Sequence, residues 1–199
     1  MTLMSPSLEA PKDMEKEADF KIFLKYLIEA GSKMNDPHYF QVHAAGSENP
    51  IYRERVYCYE LYHQLRCQMT LNGELDYKLD GELDKRSHRI IKGNSKPDFV
   101  VHGPSVMTDN LVIIEVKPAK VAIGKVRDDT KKLRLFVSKY NYYNGIMLIY
   151  GDGCQKLPDQ IVSQVKTMAE HCGKPDSILL MWHRGPSESP KVIFPEKYR

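Results

Sequence analysis

Apolar residues recur along the chain with the spacing that is typical of amphipathic helices. Between residues 18 and 30, large apolar side chains return every three or four positions up to Gly31, which predicts a helix. A second helix is predicted over 51–69, a tyrosine-rich stretch without Gly or Pro. The same spacing predicts helices over 125–140 and 158–171. Each of these helices has one apolar face available for packing.

Short apolar runs bounded by turn residues predict the strands. The runs 99–101 and 111–116 flank a segment of Gly, Pro, Ser, Asp and Asn, which indicates a hairpin. Less regular strands are predicted within 75–83 and 192–194, and buried strands over 145–150 and 177–183. Because a helix lies between them, the strands at 111–116 and 145–150 are expected to be parallel. The sequence therefore predicts an α/β fold with a mixed central sheet.

Length and composition favour one globular domain. The chain has 199 residues, of which 42% are hydrophobic and 28% charged, as in an ordinary globular protein. Residues 1–16 are polar and contain Pro6 and Pro11, so we expect a flexible leader there. A single domain is expected over 17–199.

Charge, hydropathy and cysteine usage narrow the functional classes. The net charge is only +3, so a nucleic-acid surface would have to be a local patch. No apolar run approaches the roughly 20 residues of a membrane helix, and the N-terminus lacks an apolar signal core. The four cysteines form no C-x-x-C pair, which favours reduced thiols and a cytoplasmic location. The sequence contains no glycine-rich phosphate loop, and we expect neither a membrane partner nor a small-molecule cofactor.

The hairpin over residues 97–117 contains the candidate chemistry. Glu115 and Lys117 are two positions apart in a strand, so their side chains point to the same face, whereas Val116 points into the core. Asp98 opens the partner strand and is expected near the same end of the hairpin. Two carboxylates are hard oxygen ligands of the kind that Mg²⁺ takes, and a neighbouring lysine can hold or help deprotonate an attacking water. A cross-strand ion pair on a solvated face is the alternative.

Pro97-Asp98, followed after a mostly apolar spacer by Glu115-Val116-Lys117, resembles the motif of the PD-(D/E)XK nuclease superfamily. The resemblance implies a restriction-endonuclease-like αβββαβ core over about 51–150, with the mixed sheet flanked by helices. It implies an endodeoxyribonuclease that uses Mg²⁺, for which Mn²⁺ can substitute, and has DNA as its partner. Asp98 and Glu115 would bind the metal, the Val116 carbonyl would be an extra ligand, and Lys117 would orient or activate the water.

The resemblance also implies that the helix before the hairpin adds an acidic residue to the metal site. Glu60 is our first choice for this catalytic and metal-binding role, and Glu54 is the second. Alternatively, Glu60 bonds a tyrosine hydroxyl or Arg66 on a helix face. Gln64, one turn further along, is expected on the same face as Glu60, where it would contact a phosphate or a metal-bound water.

Basic residues near the hairpin are candidates for contacts with nucleic acid. Arg89 and Lys96 belong to a basic segment just before Asp98, and Lys131 and Lys132 lie on the helix that follows the Glu-x-Lys strand. They are equally interpretable as solvated surface charges. The alternative for the whole protein is a catalytically silent, nuclease-like domain that binds nucleic acid or assembles into a larger complex. A partner protein or a homodimer is the further interaction we consider, beside DNA.

Overall fold

A computed structural model of the chain describes residues 9–43, 46, 50–81, 96–104, 109–151, 156–174 and 176–199. Within these ranges the α-helices are α1 (Glu9–Ser32), α2 (Glu54–Asn72), α3 (Ile123–Lys139) and α4 (Asp159–Glu170). Short 3-10 helices cover Pro37–Tyr39 and Glu196–Tyr198. No helix in the described part of the chain has the length and apolar character needed to cross a membrane.

The strands form one mixed sheet. They are β1 (Lys78–Gly81), β2 (Phe99–His102), β3 (Asn110–Pro118), β4 (Tyr142–Tyr150), β5 (Ile178–His183) and β6 (Lys191–Phe194), and they lie side by side in chain order. Strands β1, β2 and β3 pair antiparallel, β3, β4 and β5 pair parallel, and β6 returns antiparallel to β5. The predicted parallel pairing on either side of α3 is confirmed.

The sheet is covered on both faces, and β3 lies near its middle. Strand β3 is buried from Asn110 to Lys117, which agrees with its nearly continuous apolar sequence. Alternate side chains go to opposite faces: Ile114 and Val116 pack in a core with α1 and α2, and Ile113 packs in a second core with α3 and α4. Glu115 and Lys117 share the parity of Ile113, so β3 directs them toward the α3 face.

The predicted α/β class, with a mixed sheet flanked by helices, is confirmed. Helix α1 begins at Glu9, earlier than its apolar spacing indicated. Residues 9–16, which belong to the expected leader, are therefore helical. Helix α2 begins at Glu54 and ends at Gly73, whose left-handed backbone (φ of 63°) forms the C-cap. From α2 to β4 the order is helix, three strands, helix, strand.

Candidate active site

The β2–β3 hairpin brings together the acid of one strand and the acid and lysine of the other. Phe99 is paired with Ile114, so Asp98, one position before Phe99, lies across from Glu115. The Val116 amide donates a hydrogen bond of 2.7 Å to Asp98 Oδ2. Lys117 Nζ lies 3.8 Å from the same oxygen. Asp98 therefore meets Glu115 and Lys117, which lie 17 and 19 positions later in the sequence, at the end of one hairpin.

Two helices add further charges. Glu54 of α2 places Oε1 2.9 Å from Lys117 Nζ, and Asp129 of α3 places Oδ2 3.4 Å from it. Lys132 of α3 lies between Glu115 Oε1, at 2.8 Å, and Asp129 Oδ1, at 3.0 Å. We call this group the acid–lysine cluster; its members are Glu54, Asp98, Glu115, Lys117, Asp129 and Lys132. It contains four carboxyl groups and two amines.

Burial makes the carboxylates costly to ionise. Burial, together with the charge of Asp98, raises the pKa of Glu115 well above its usual value, although Lys132 opposes the shift. Burial also raises the pKa of Asp98, against the opposing effects of Lys117 and the Val116 amide. The Glu115 side chain is only 1% exposed. The cluster therefore sets four carboxyl groups against two amines, and burial disfavours the ionised form of two of the four.

Both lysines remain protonated. Burial disfavours the charged form of Lys117, but Asp98, Asp129 and Glu54 outweigh it and raise its pKa. Burial likewise opposes the charged form of Lys132, and the Glu115 and Asp129 carboxylates raise its pKa. Lys117 also donates a hydrogen bond of 2.7 Å to the Val116 carbonyl. A lysine held as a cation can donate hydrogen bonds and stabilise negative charge, but it cannot take a proton from water.

The donor chemistry of the cluster fits a hard divalent cation held by few protein ligands. Among the described residues, no group of three or more His, Cys, Asp or Glu side chains is arranged to hold a metal ion. A cation here would therefore depend on Asp98 and Glu115, with the Val116 carbonyl nearby. Mg²⁺ is commonly bound by one or two carboxylates and keeps several waters. A bound cation would also favour the ionised form of these two carboxyl groups, which burial disfavours.

Of the two acids predicted from α2, the first choice, Glu60, lies outside this cluster, and so does Gln64. Glu60 accepts a hydrogen bond of 2.7 Å from Gln64 Nε2 and raises the pKa of Tyr39, so neither Glu60 nor Gln64 contributes to the cluster. Six residues along a helix turn the chain by about 600°, which places Glu60 about 120° away from Glu54. Glu54, the second choice, is the acid of α2 that reaches Lys117.

The basic residues divide into three cases. Lys132 reaches into the cluster, and its ammonium also lies 3.3 Å from the Lys96 carbonyl. Lys131 is exposed and pairs with Asp128 at 3.3 Å. Lys96 is exposed at the start of the segment that leads into β2. Arg89 lies outside the described residues.

The sequence did not single out Asp129, and it did not indicate that Lys132 reaches into the cluster. Lys132 was a candidate for contact with nucleic acid or a solvated surface charge. Asp129 precedes buried Thr130 and Lys132 precedes buried Leu133, so both flank the apolar stripe of α3. Polar residues beside a buried stripe face the edge of the helix–sheet interface. Their i, i+3 spacing on that edge was the signal that could have identified them.

A cavity of about 600 Å³ opens beside the cluster, between α2 and the β1–β2 edge of the sheet. We call it the aromatic pocket; its lining includes Glu54, Arg55, Cys58, Tyr59, Tyr62, Asp98 and Phe99. Burial and the nearby charges of Asp98 and Glu54 raise the pKa of Cys58, so the thiol stays neutral. Glu54 and Asp98 belong to both the pocket and the cluster, which makes the two features contiguous.

Comparison of the chain with protein-family models, curated proteins and solved structures found no match. The site is therefore interpreted from its own residues and from the motif they form.

Proposed function

We propose that the protein is a Mg²⁺-dependent nuclease that hydrolyses phosphodiester bonds of DNA. The observation that carries the proposal is the meeting of Asp98, Glu115 and Lys117 at one end of the β2–β3 hairpin, with Lys117 Nζ 3.8 Å from Asp98 Oδ2. An acid, a second acid and a lysine in this order are the motif residues of the PD-(D/E)XK resemblance. The helix, three strands, helix and strand from α2 to β4 follow the element order of a restriction-endonuclease-like core.

The chemistry assigns separate roles to the members of the cluster. Asp98 and Glu115 hold the cation, and Mn²⁺ can take the place of Mg²⁺. When bound, the cation lowers the pKa of its water and polarises the scissile phosphate. The Val116 amide fixes Asp98, and Lys132 fixes Glu115, so both carboxylates are preorganised. Protonated Lys117 donates hydrogen bonds that orient the attacking water and offset the charge that develops on the phosphate oxygens.

The test is cleavage of supercoiled plasmid by the purified protein with Mg²⁺ or Mn²⁺, with EDTA as the control. We expect Asp98→Asn and Lys117→Met each to reduce cleavage by about 10²–10³-fold or more, while circular dichroism shows an unchanged fold. Asp159→Asn and Lys156→Met are matched controls, because this exposed pair lies at the start of α4, outside the cluster. If either cluster variant cuts plasmid at the parent rate, the assignment of the site is wrong.

Metal binding has a readout that does not depend on activity. A cation that binds only the folded chain stabilises it by about 2.7 kcal/mol at a hundred times its dissociation constant. We therefore expect Mg²⁺ or Mn²⁺ to raise the melting temperature of the parent, and a much smaller rise in Glu115→Gln. A rise of equal size in both proteins would place the cation elsewhere.

The second candidate is a catalytically silent domain that binds nucleic acid or assembles with a partner. Within the described ranges, no three metal-binding side chains form one group, which favours this candidate. Both lysines of the cluster are also already engaged in ion pairs. Failure to cut supercoiled, linear and single-stranded DNA with any divalent cation would favour this candidate over the nuclease.

A further inference from the structure

The aromatic pocket is a second recognition feature next to the acid–lysine cluster. Tyr59 and Tyr62 of α2 and Phe99 of β2 contribute three aromatic rings to its lining. The rings of Tyr62 and Phe99 are nearly parallel, with 18° between their planes and 6.3 Å between their centroids. The Tyr62 hydroxyl donates a hydrogen bond of 3.3 Å to the Leu79 carbonyl, which fixes this ring against β1. The inner wall of the pocket is therefore formed by two oriented rings.

Tyr59 is 64% exposed, more than any other aromatic side chain in the described part of the chain. A tyrosine that packs in a core or on a helix neighbour would bury much more of its ring. Here it borders a cavity, one helical turn after Arg55, which lines the same cavity. Arginine and tyrosine are the side chains on which unpaired nucleic-acid bases stack.

The size and position of the pocket suit a base whose own phosphate lies at the cluster. About 600 Å³ falls within the range of about 300–1,000 Å³ that is usual for pockets that bind small molecules. Because Asp98 and Glu54 lie in both features, a base in the pocket has its backbone beside Asp98. A base stacked inside a duplex cannot enter such a cavity, whereas an unpaired base can.

We infer that the aromatic pocket takes an unpaired base of a single-stranded nucleic acid and that the protein therefore acts on single strands or frayed ends. This inference depends on the proposed nuclease function for its biological meaning, but the binding event does not require catalysis. Stacking on Tyr59 supplies affinity without base specificity, because every base has an aromatic face. Arg55 adds a positive charge near the entering backbone.

The test is binding of short fluorescent single-stranded DNA, single-stranded RNA and duplex DNA to the full chain, measured by anisotropy with EDTA and again with Ca²⁺. We expect the parent to prefer a single strand, and Tyr59→Ala to weaken that binding by about fivefold or more. Tyr59→Phe keeps the aromatic face and should retain parental affinity. Leu71→Ala removes another exposed apolar side chain of α2 and serves as the control. The DNA and RNA arms identify which single strand is preferred.

The possible results separate this inference from the proposed function. Equal affinity of Tyr59→Ala and the parent for single strands overturns the pocket assignment, and so does absence of single-strand binding by the parent. Metal-dependent cutting of plasmid would still support the nuclease in either case. Conversely, a loss of single-strand affinity in Tyr59→Ala without cleavage under any metal supports the pocket and contradicts the nuclease.

Discussion

Two groups of buried polar side chains flank α2, and they differ in how their charge is balanced. The acid–lysine cluster holds four carboxyl groups against two amines. The other group is the histidine–tyrosine pair, in which a hydrogen bond of 2.8 Å joins the Tyr57 hydroxyl and Nδ1 of His183. Tyr57 stacks on Tyr150 with 4.0 Å between ring centroids, and Phe40 meets His183 edge-on at 4.8 Å.

The pair is neutral, whereas the cluster is not. Burial lowers the pKa of His183 to about 4, so the imidazole is uncharged near neutral pH. Burial also raises the pKa of Tyr57 well above its usual value, which keeps the phenol protonated. Buried polarity alone is therefore a structural feature of this fold. The concentration of buried ionisable groups with shifted pKa values around Asp98 and Glu115 is the property that distinguishes a candidate site.

The largest expected effect on stability comes from removing the Lys117 ammonium, which lies at the centre of the cluster. Lys117→Met leaves Glu54, Asp98 and Asp129 without their shared ammonium, and we expect it to lower the free energy of unfolding by about 3 kcal/mol at neutral pH without metal. The control is Lys131→Met, which breaks an exposed ion pair and should cost less than about 0.5 kcal/mol. Urea denaturation of both variants measures the difference. An equal loss of free energy of unfolding in the two variants would mean that the ion pairs of the cluster stabilise the fold no more than an exposed ion pair does.

The next effect is a response to acid that belongs to the histidine–tyrosine pair. The folded pKa of His183 is about 4 and its ordinary value is 6.5, so between these values the unfolded chain binds the extra proton. Stability is fully present above pH 6.5 and is lost as the pH falls toward 4. We expect a loss of about 3 kcal/mol across this window.

Urea denaturation at several pH values measures this loss, with His183→Gln as the comparison because it removes the titrating group and keeps a polar side chain. The parent and the variant share all other titrations, so the difference between their pH profiles isolates His183. Parallel profiles would contradict a neutral buried histidine.

A smaller effect is expected from the hydrogen bond within the pair. Tyr57→Phe keeps the ring and its stacking on Tyr150 but removes the partner of His183 Nδ1, which should cost about 1.5 kcal/mol. Tyr59→Phe removes an exposed hydroxyl from the same helix and should leave the stability unchanged. Thermal unfolding of the two variants side by side measures the bond. A neutral result for Tyr57→Phe would show that the pair is not held by this contact.

The smallest effect has the opposite sign and belongs to the cluster. Glu115→Gln removes a desolvated carboxylate, and we expect about 1 kcal/mol of stabilisation at pH 7 without metal. Because the pKa of Glu115 is higher in the folded chain than its usual 4.5, ionisation of Glu115 lowers the free energy of unfolding as the pH rises above 4.5. The stabilisation by Glu115→Gln should therefore disappear near pH 4.5. Glu196→Gln, at an exposed carboxylate, should show no such gain. Destabilisation by Glu115→Gln at pH 7 would mean that the ion pair with Lys132 stabilises the fold by more than the burial of the Glu115 carboxylate costs.

The sequence predicted the parts of the site that depend on strand geometry. Side chains of a strand alternate between two faces, so the shared face of Glu115 and Lys117 followed from their positions alone. The apolar run of β3 indicated burial on both faces, and the turn residues before it indicated the hairpin that returns to Asp98. These features are local, or connect neighbouring strands, and they require no knowledge of the helices.

The contributions of the helices could not be obtained in the same way. Aromatic residues occur around most of α2, so its sequence does not indicate which turn faces the hairpin. Glu60 was the first choice because large side chains flank it on a half-buried helix. The choice depends on how α2 packs across the sheet, which is set by long-range contacts such as Tyr57 with His183. Asp129 of α3 depends in the same way on the docking of a helix edge against β3.

The position of α2 links the geometry of the acid–lysine cluster to a remote part of the fold. Glu54 and Tyr57 lie within one turn of this helix, and they contact Lys117 and His183 on two different strands. A shift of α2 along its axis by one residue would move both anchors by about 1.5 Å. Through its contact with α2, the neutral imidazole of His183 on β5 thus helps to position the Glu54 carboxylate, which it does not contact. Substitutions at His183 should therefore alter the alignment of the cluster as well as the stability of the core.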